Sequence, residues 1–168
     1  DLGIELSLSQ VPVVQKQLVE RCRFYQKPVI VATQMLDSMR SYPIPTRAEV
    51  SDVASSIYAG ADAVMLTGET SSGKYPIKAT RMIQKIVTEV ENHMSTKKFY
   101  KKPADFGIKT VPEAFMFNTM QLADDIKAKA IIMLTRKGVL TRMLSKFHPK
   151  QPVFALAADA VSYTHLRA

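Results

Sequence analysis

Hydrophobic positions in the first half of the chain follow two alternating patterns. Apolar residues recur at helical spacing over residues 11–24, over 46–60 and again from Pro76, while residues 29–33 and 62–66 form short apolar runs. A spacing of three and four residues predicts amphipathic helices, and a short apolar run bounded by turn residues is typical of a buried strand. The order helix, strand, helix, strand, helix with short connections predicts βαβ units and a parallel sheet.

Each predicted helix has one apolar stripe, and the second also has recognisable ends. The stripes consist of Val11, Val14, Leu18, Val19 and Cys22, then Val50, Val53, Ala54 and Ile57, then Ile83, Ile86, Val87, Val90 and Met94. Thr46 and Glu49 have the spacing of a capping box, in which each side chain binds the backbone N–H of the other residue. Gly60 predicts the end of this helix, because glycine readily adopts the left-handed conformation found there.

The second half has the same α/β character after a change in composition. We expect residues 1–94 to form one domain, 95–107 a linker, 108–159 the start of a second domain, and 160–168 a non-native or frayed tail. The second domain should contain a helix over 112–126, a strand over 130–134, a helix over 139–147 and a strand over 152–156. In its first helix we expect these residues to face inward: Ala114, Phe115, Asn118, Leu122 and Ala123.

Two of the predicted strands end abruptly at polar residues. The first is followed by Thr33 and Gln34, and the second by Thr67 and Glu69. In a β/α barrel the functional side chains lie where the strands end, so these positions are candidate site residues, although a polar helix start would look similar. The βαβ units present are too few to close a barrel of about 250 residues. The sheet is therefore either open or part of a larger protein.

Charge and composition restrict the class of protein. The net charge is +8 with a pI of about 9.6, but the basic residues are dispersed, and the densest cluster, over 97–102, falls in the expected linker. We favour a solvated linker over nucleic-acid binding there, and no apolar run reaches the roughly 20 residues of a membrane span. Cys22 is the only cysteine, which excludes an internal disulfide and favours a reducing, intracellular compartment. The three histidines lack metal-ligand spacing.

Four ordered motifs resemble the pyruvate kinase family. They are the opening Asp-Leu-Gly, Lys-Pro-Val-Ile-Val-Ala-Thr-Gln-Met from residue 27, Pro-Thr-Arg-Ala-Glu from residue 45, and Met-Leu-Thr-Gly-Glu-Thr from residue 65. The resemblance implies the last strands and helices of a (β/α)8 barrel, followed by the beginning of a separate α/β C-terminal domain. The earlier barrel strands and the lid domain of the family would precede the first residue.

The resemblance assigns roles to the first two strand ends. Asp1 matches the family's metal-binding carboxylate, which holds Mg²⁺ or Mn²⁺ near the substrate, and a short helix should begin next to it; an ordinary helix N-cap is the alternative reading. Thr33 matches a threonine that contacts the substrate beside the reacting carbons. A threonine hydroxyl is too weak an acid to donate the proton directly, so a water chain would complete the relay. Without the resemblance, Thr33 is a good β-former.

The resemblance also covers the second strand end and two weaker sites. Thr67, where the family commonly has serine, would bind substrate, and Glu69 would act in proton relay or orient its neighbours, with the orienting role favoured. Arg47 and Glu49 resemble part of a helix that packs near the family's subunit interface, although a capped surface helix explains them equally well. The turn at Thr135, Arg136, Lys137 and Gly138 matches an effector loop that cradles a sugar phosphate in regulated family members. Thr135 and Gly138 are retained and Arg136 and Lys137 could attract an anion, but Lys137, Val139 and Leu140 replace hydroxyl or basic positions of that loop.

The implied parent activity is phosphoryl transfer from phosphoenolpyruvate to ADP, which gives pyruvate and ATP in the last step of glycolysis. A cytoplasmic homotetramer that uses Mg²⁺ and K⁺ is implied, with the K⁺ site outside this chain and with no nucleic-acid or membrane partner. We expect this chain alone to be inactive and to associate through open sheet edges. Two alternatives remain open: another metal-dependent barrel enzyme acting on phosphoenolpyruvate or pyruvate, and a non-catalytic basic binding module.

Overall fold

The chain divides into two compact units. The computed structural model describes residues 2–96, 108 and 110–157. Unit 1 is Asp1–Phe99 and unit 2 is Tyr100–Ala168. The predicted linker over 95–107 and the predicted tail over 160–168 lie almost entirely outside the described residues, so the proposed domain bounds stay a prediction.

Unit 1 is built from the predicted alternation of helices and short strands. Its elements are α1 Leu2–Glu5, α2 Val11–Phe24, β1 Ile30–Ala32, a 3-10 helix Asp37–Arg40, α3 Arg47–Ala59, β2 Ala63–Met65, α4 Gly68–Ser71 and α5 Pro76–Thr96. β1 and β2 pair in parallel, with Ile30 opposite Ala63 and Ala32 opposite Met65. The βαβ unit predicted around α3 is thereby confirmed, and the short helix expected next to Asp1 is present as α1. Both strands are shorter than the apolar runs that predicted them.

The core of unit 1 lies between its helices and one face of this sheet. Buried residues from α2, β1, the following loop, α3 and α5 form a single cluster: Val19, Val31, Met35, Leu36, Met39, Val53, Ala79, Ile86 and Val90. The predicted stripes of α3 and α5 contribute to it. In α2 the prediction was only partly right, because Leu18 is 44% exposed and Cys22 is half-buried beside an open groove of about 360 Å³.

Local signals set the ends of α3 as predicted. The Thr46 hydroxyl accepts from the backbone N–H of Glu49 at 3.3 Å, and the Glu49 carboxylate accepts from the Thr46 N–H at 2.8 Å. At the other end Gly60 has φ +95°, in the left-handed region. A Cβ there would approach the guanidinium of Arg23, whose flexible side chain can move aside, so it is the backbone conformation that requires glycine.

Unit 2 repeats the strand, helix, strand order in a second small sheet. Its elements are α6 Val111–Asp125, β3 Ile131–Thr135, α7 Val139–Ser145 and β4 Val153–Ala157. β3 and β4 pair in parallel from Ile131 opposite Val153 to Thr135 opposite Ala157. The helices pack on one face of the sheet around Met116, Phe117, Ala123, Ile131, Leu144 and Phe147. A second capping box, Thr110 with Glu113, begins α6.

The predicted inward face of α6 was largely wrong. Phe115 and Leu122 are 66% and 59% exposed, and Asn118 is also exposed, whereas Met116 and Phe117 are buried. This helix is apolar around much of its circumference, so periodicity does not select one face. Packing against α7 and the sheet determines which residues of α6 are buried. It also buries Glu113, whose Oε1 forms an ion pair with Nζ of Lys146 at 3.2 Å.

Both sheets leave one apolar face open in this chain. In unit 2 the outward residues of the two strands are 54–80% exposed: Ile132, Leu134, Phe154 and Leu156. In unit 1, Ile30 and Met65 are 59% and 46% exposed. Exposed apolar surface of this kind normally marks a place where other protein packs. Among the described helices, none combines the length and the apolar character that crossing a bilayer requires.

Candidate active site

Thr33 and Thr67 lie at the same end of the unit 1 sheet. Thr33 directly follows the last residue of β1, and Thr67 comes two residues after the last residue of β2. The strands are parallel and in register from Ile30 to Ala32, so their carboxyl ends meet at one edge. The structure therefore brings together the two strand ends that the sequence singled out. Thr33 is exposed at this edge, while Thr67 is half-buried.

The loop after β1 has a backbone that is unusual for its residues. Thr33 and Gln34 have φ values of +69° and +55°, in the left-handed region. For a β-branched residue such as threonine this conformation is a genuine outlier, with a cost of about 1–3 kcal/mol that the surrounding structure must offset. The loop is anchored by Met35, Leu36 and Met39, whose side chains are 6%, 0% and 0% exposed.

Glu69 joins the two strand ends through backbone hydrogen bonds. Its carboxylate is 1% exposed and accepts from the N–H of Leu36 through Oε1 and from the N–H of Thr67 through Oε2, both at 2.9 Å. Burial raises the pKa of Glu69, but backbone donors and the charge of Arg40 lower it more, and the net pKa lies below the ordinary glutamate value. The carboxylate is thus charged and occupied by donors, an arrangement that suits orientation of the loops.

Arg40 is a site residue that the sequence did not indicate. Its side chain lies against Gly68, where an added Cβ would meet Nε at 3.1 Å, and its guanidinium pairs with Asp37 at 3.6 Å. Its carbonyl accepts from the N–H of Lys74 at 2.8 Å, which ties the 3-10 helix to the turn after α4. A basic residue at the end of a short 3-10 helix has no periodic or motif signal, so only the tertiary contacts reveal its place.

The remaining predicted site residues fall in different settings. Asp1, the proposed metal ligand, lies outside the described residues, and within the described part of the chain no three His, Cys, Asp or Glu side chains cluster as metal ligands would. Arg47 is exposed at the first position of α3. The carboxylates of Glu49 and Glu69 both accept hydrogen bonds from backbone N–H groups.

The predicted effector turn is closed internally. The Thr135 hydroxyl accepts from the N–H of Gly138 at 2.9 Å, and Gly138 has φ +68° at the start of α7. The hydroxyl that would contact a phosphate is therefore engaged in shaping the turn. Arg136 and Lys137 are exposed beside it.

Comparison with known proteins gives two family matches, one in each half of the chain. Residues 1–80 match the profile of the pyruvate kinase barrel domain, and residues 113–167 match that of the pyruvate kinase alpha/beta domain. Together these matches cover most of the chain, in the order in which the two units occur. The second match runs into residues 160–168, whose origin stays a prediction.

Individual relatives agree with the family matches. The chain is 43% identical over 156 residues to a pyruvate kinase of Clostridium acetobutylicum, covering 93% of this chain and 33% of the relative. It is 39% identical over 166 residues to a pyruvate kinase of Thermotoga maritima, covering 99% and 35%. A crystal structure of a pyruvate kinase from Cryptosporidium parvum superposes with a TM-score of 0.82 at 34% identity, covering 98% of this chain and 34% of that one.

The fold is that of part of a β/α barrel followed by the start of an α/β domain. The chain belongs to the pyruvate kinase family. It spans about a third of the length of the relatives it matches, so it corresponds to the last part of the barrel and the beginning of the C-terminal domain. The comparisons favour neither a different phosphoenolpyruvate-using barrel nor a basic binding module, and the lysine cluster on which the latter depends lies outside the described residues.

Proposed function

We propose that the protein containing this chain transfers the phosphoryl group of phosphoenolpyruvate to ADP, giving pyruvate and ATP. The observation that carries the proposal is the pairing of two motif-bearing strand ends, Thr33 and Thr67, at one edge of a parallel sheet in a chain of this family. Phosphoryl transfer depends mainly on positioning and electrostatic stabilisation, which a rigid strand-end site supplies.

In this proposal the described residues hold the substrate and its proton path. The exposed Thr33 hydroxyl contacts the enolate end of the substrate and passes a proton through water, and the Thr67 hydroxyl makes a polar contact beside it. Glu69 acts as the residue that fixes both loops, since its two carboxylate oxygens already accept backbone N–H groups of Leu36 and Thr67. A bound Mg²⁺ or Mn²⁺, with Asp1 as one ligand, would supply charge neutralisation of the phosphate oxygens.

The test uses a reconstituted enzyme, in which residues 1–168 replace the matching segment of the Clostridium acetobutylicum relative. We expect pyruvate formation that requires phosphoenolpyruvate, ADP, a divalent cation and K⁺. Thr33→Ala should lower kcat by about 10²-fold or more, while Thr33→Ser, which keeps the hydroxyl, should retain most activity. A fully folded reconstituted enzyme without this activity, or with equal activity in both variants, would count against the proposal.

The isolated chain should self-associate and should not catalyse the phosphoryl transfer. Its outward strand residues are exposed in both units, and each described strand has only one neighbour, so open edges and apolar faces remain. We expect light scattering of the isolated chain to show concentration-dependent association without catalysis. A monodisperse, active monomer would contradict this expectation.

Three finer proposals follow from family membership. The parent assembles as a homotetramer with the exposed Arg47 near a subunit contact, which Arg47→Ala and mass photometry of the reconstituted enzyme would test.

Arg136 and Lys137 attract an anionic effector weakly; their replacement by Ala should abolish any response to sugar phosphates. The parent is cytoplasmic, a location that cell fractionation would test, since one relative, from Ricinus communis, is named as chloroplastic.

A further inference from the structure

The loop that carries Thr33 needs outside support. Two consecutive residues, Thr33 and Gln34, have left-handed backbone conformations that neither side chain favours. Such conformations persist only where neighbouring contacts fix the chain on both sides. We call residues 33–40 the post-β1 loop.

Glu49 supplies one of these contacts from the start of α3. Its Oε1 accepts from the Ser38 N–H at 2.7 Å, and its Oε2 accepts from the Ser38 hydroxyl at 2.5 Å. The same Oε2 accepts from the N–H and the hydroxyl of Thr46, at 2.8 and 2.9 Å. One carboxylate therefore closes the capping box of the helix and also holds a backbone amide in the post-β1 loop.

Two carboxylates hold neighbouring amides of the same loop. Glu69 binds the N–H of Leu36 from α4, and Glu49 binds the N–H of Ser38 from α3. Burial raises the pKa of Glu49, but its hydrogen bonds from Ser38 and Thr46 lower it more, so the net pKa is below the ordinary value and the acceptor is charged. Hydrogen bonds to a charged acceptor are shorter and stronger than neutral ones. The post-β1 loop is thus fixed to both α3 and α4.

We propose that Glu49 is a positioning residue for Thr33, acting through the Ser38 amide and hydroxyl. The proposal rests on the proposed function, in which the Thr33 hydroxyl contacts the substrate. A capping box needs only the contacts with Thr46, so the two bonds to Ser38 are additional. They transmit the fixed position of α3 to the loop that carries the reacting hydroxyl.

The decisive variant is Glu49→Gln in the reconstituted enzyme. A carboxamide keeps the size of the side chain, but its single oxygen cannot serve four donors, and its NH₂ group is itself a donor. We expect kcat to fall about tenfold or more, because small displacements of a positioned group are costly, while the KM for ADP stays within about twofold. Hydrogen exchange at the Leu36 and Ser38 amides should accelerate, with the larger effect at Ser38.

Thr46→Ala is the matched control. It removes the capping hydroxyl and weakens the start of α3, but it leaves the Glu49 bonds to Ser38. We expect nearly normal kcat and normal Ser38 exchange in this variant, with a lower melting temperature. Ser38→Ala, which removes only the hydroxyl donor, should give a kcat between those of the wild type and Glu49→Gln.

The outcomes separate the two proposals. Loss of kcat in Glu49→Gln together with faster Ser38 exchange supports the positioning role. Unchanged kcat in Glu49→Gln, or an equal loss of kcat in Thr46→Ala, would overturn the positioning role. Glu49 would then act only as a cap of α3. If the wild-type reconstituted enzyme folds but is inactive, the proposed function fails, and Ser38 exchange still decides whether Glu49 holds the post-β1 loop.

Discussion

Replacing Glu69 by glutamine should release the two strand-end loops from each other. In the wild type the buried carboxylate accepts one backbone N–H from each loop, at 2.9 Å in both cases. The carboxamide offers one acceptor oxygen, so its NH₂ group would face the N–H of either Leu36 or Thr67. The variant therefore loses a bond to a charged acceptor and leaves a buried donor without a partner.

The expected cost follows from these contacts. Loss of a hydrogen bond to a charged group, with one buried partner left unsatisfied, amounts to about 2–4 kcal/mol. This corresponds to exchange about thirtyfold faster or more at the affected amides, if exchange proceeds through local opening. Hydrogen exchange at the Leu36 and Thr67 amides of the reconstituted enzyme measures this acceleration directly.

Glu89→Gln is the matched control, because the same chemical change is made on the exposed face of α5. We expect no change in exchange at either amide in the control. Wild-type protection of Leu36 and Thr67 in Glu69→Gln would refute the reasoning. If protection is kept while kcat falls, the proton-relay role of Glu69 gains support over the orienting role.

Three further predictions concern local packing and charge. Lys146→Met should destabilise unit 2 by about 3–5 kcal/mol, because it leaves a buried carboxylate without its cation, whereas Lys150→Met should cost less, because the side chains of that pair are 40% and 14% exposed; exchange in unit 2 compares them, and equal effects would contradict the burial argument. Gly73→Ala should perturb the site strongly, since its Cβ would collide with the backbone carbonyl of Glu69, whereas Gly68→Ala meets only a movable arginine side chain at 3.1 Å; melting temperatures of the two variants test this, and a similar loss in both would contradict it. The folded pKa of Glu69 is lowered, so its contribution to stability should be complete above the ordinary glutamate value of 4.5 and lost as the pH falls through the folded value; exchange of the Leu36 and Thr67 amides against pH measures this, and the transition at these amides should be smaller in Glu69→Gln, in which Glu49 still titrates against the loop.

Local sequence signals were most successful where the interactions themselves are local. The capping boxes at Thr46 and Thr110 each join residues three apart, and Gly60 ends α3 through its own backbone conformation. The first of these boxes and the glycine end were predicted from spacing and residue type alone. The strands were located to within a residue or two, since their apolar runs are short and bounded by turn residues.

The inward face of α6 shows where periodicity stops being informative. Phe115 and Phe117 are two positions apart on a helix that is apolar on several sides, and the structure buries only Phe117. The ring of Phe117 packs edge-to-face against Phe147, with centroids 5.4 Å apart. That contact depends on where α7 lies, which the spacing within α6 does not encode.

The sequence by itself determined the order of the main helices and strands, both ends of α3, and the placement of Thr33 and Thr67 after two parallel strands. Only the tertiary structure decided how these ends are held. Glu69 meets Leu36 across 33 residues, and Glu49 meets Ser38 across 11. Helical and strand periods reflect contacts between near neighbours, whereas a carboxylate finds a distant amide only after the βαβ unit has folded. In the sequence, Glu49 is recognisable as part of a helix cap and Glu69 as a motif residue. Only the folded structure shows that both carboxylates bind backbone amides of the same loop.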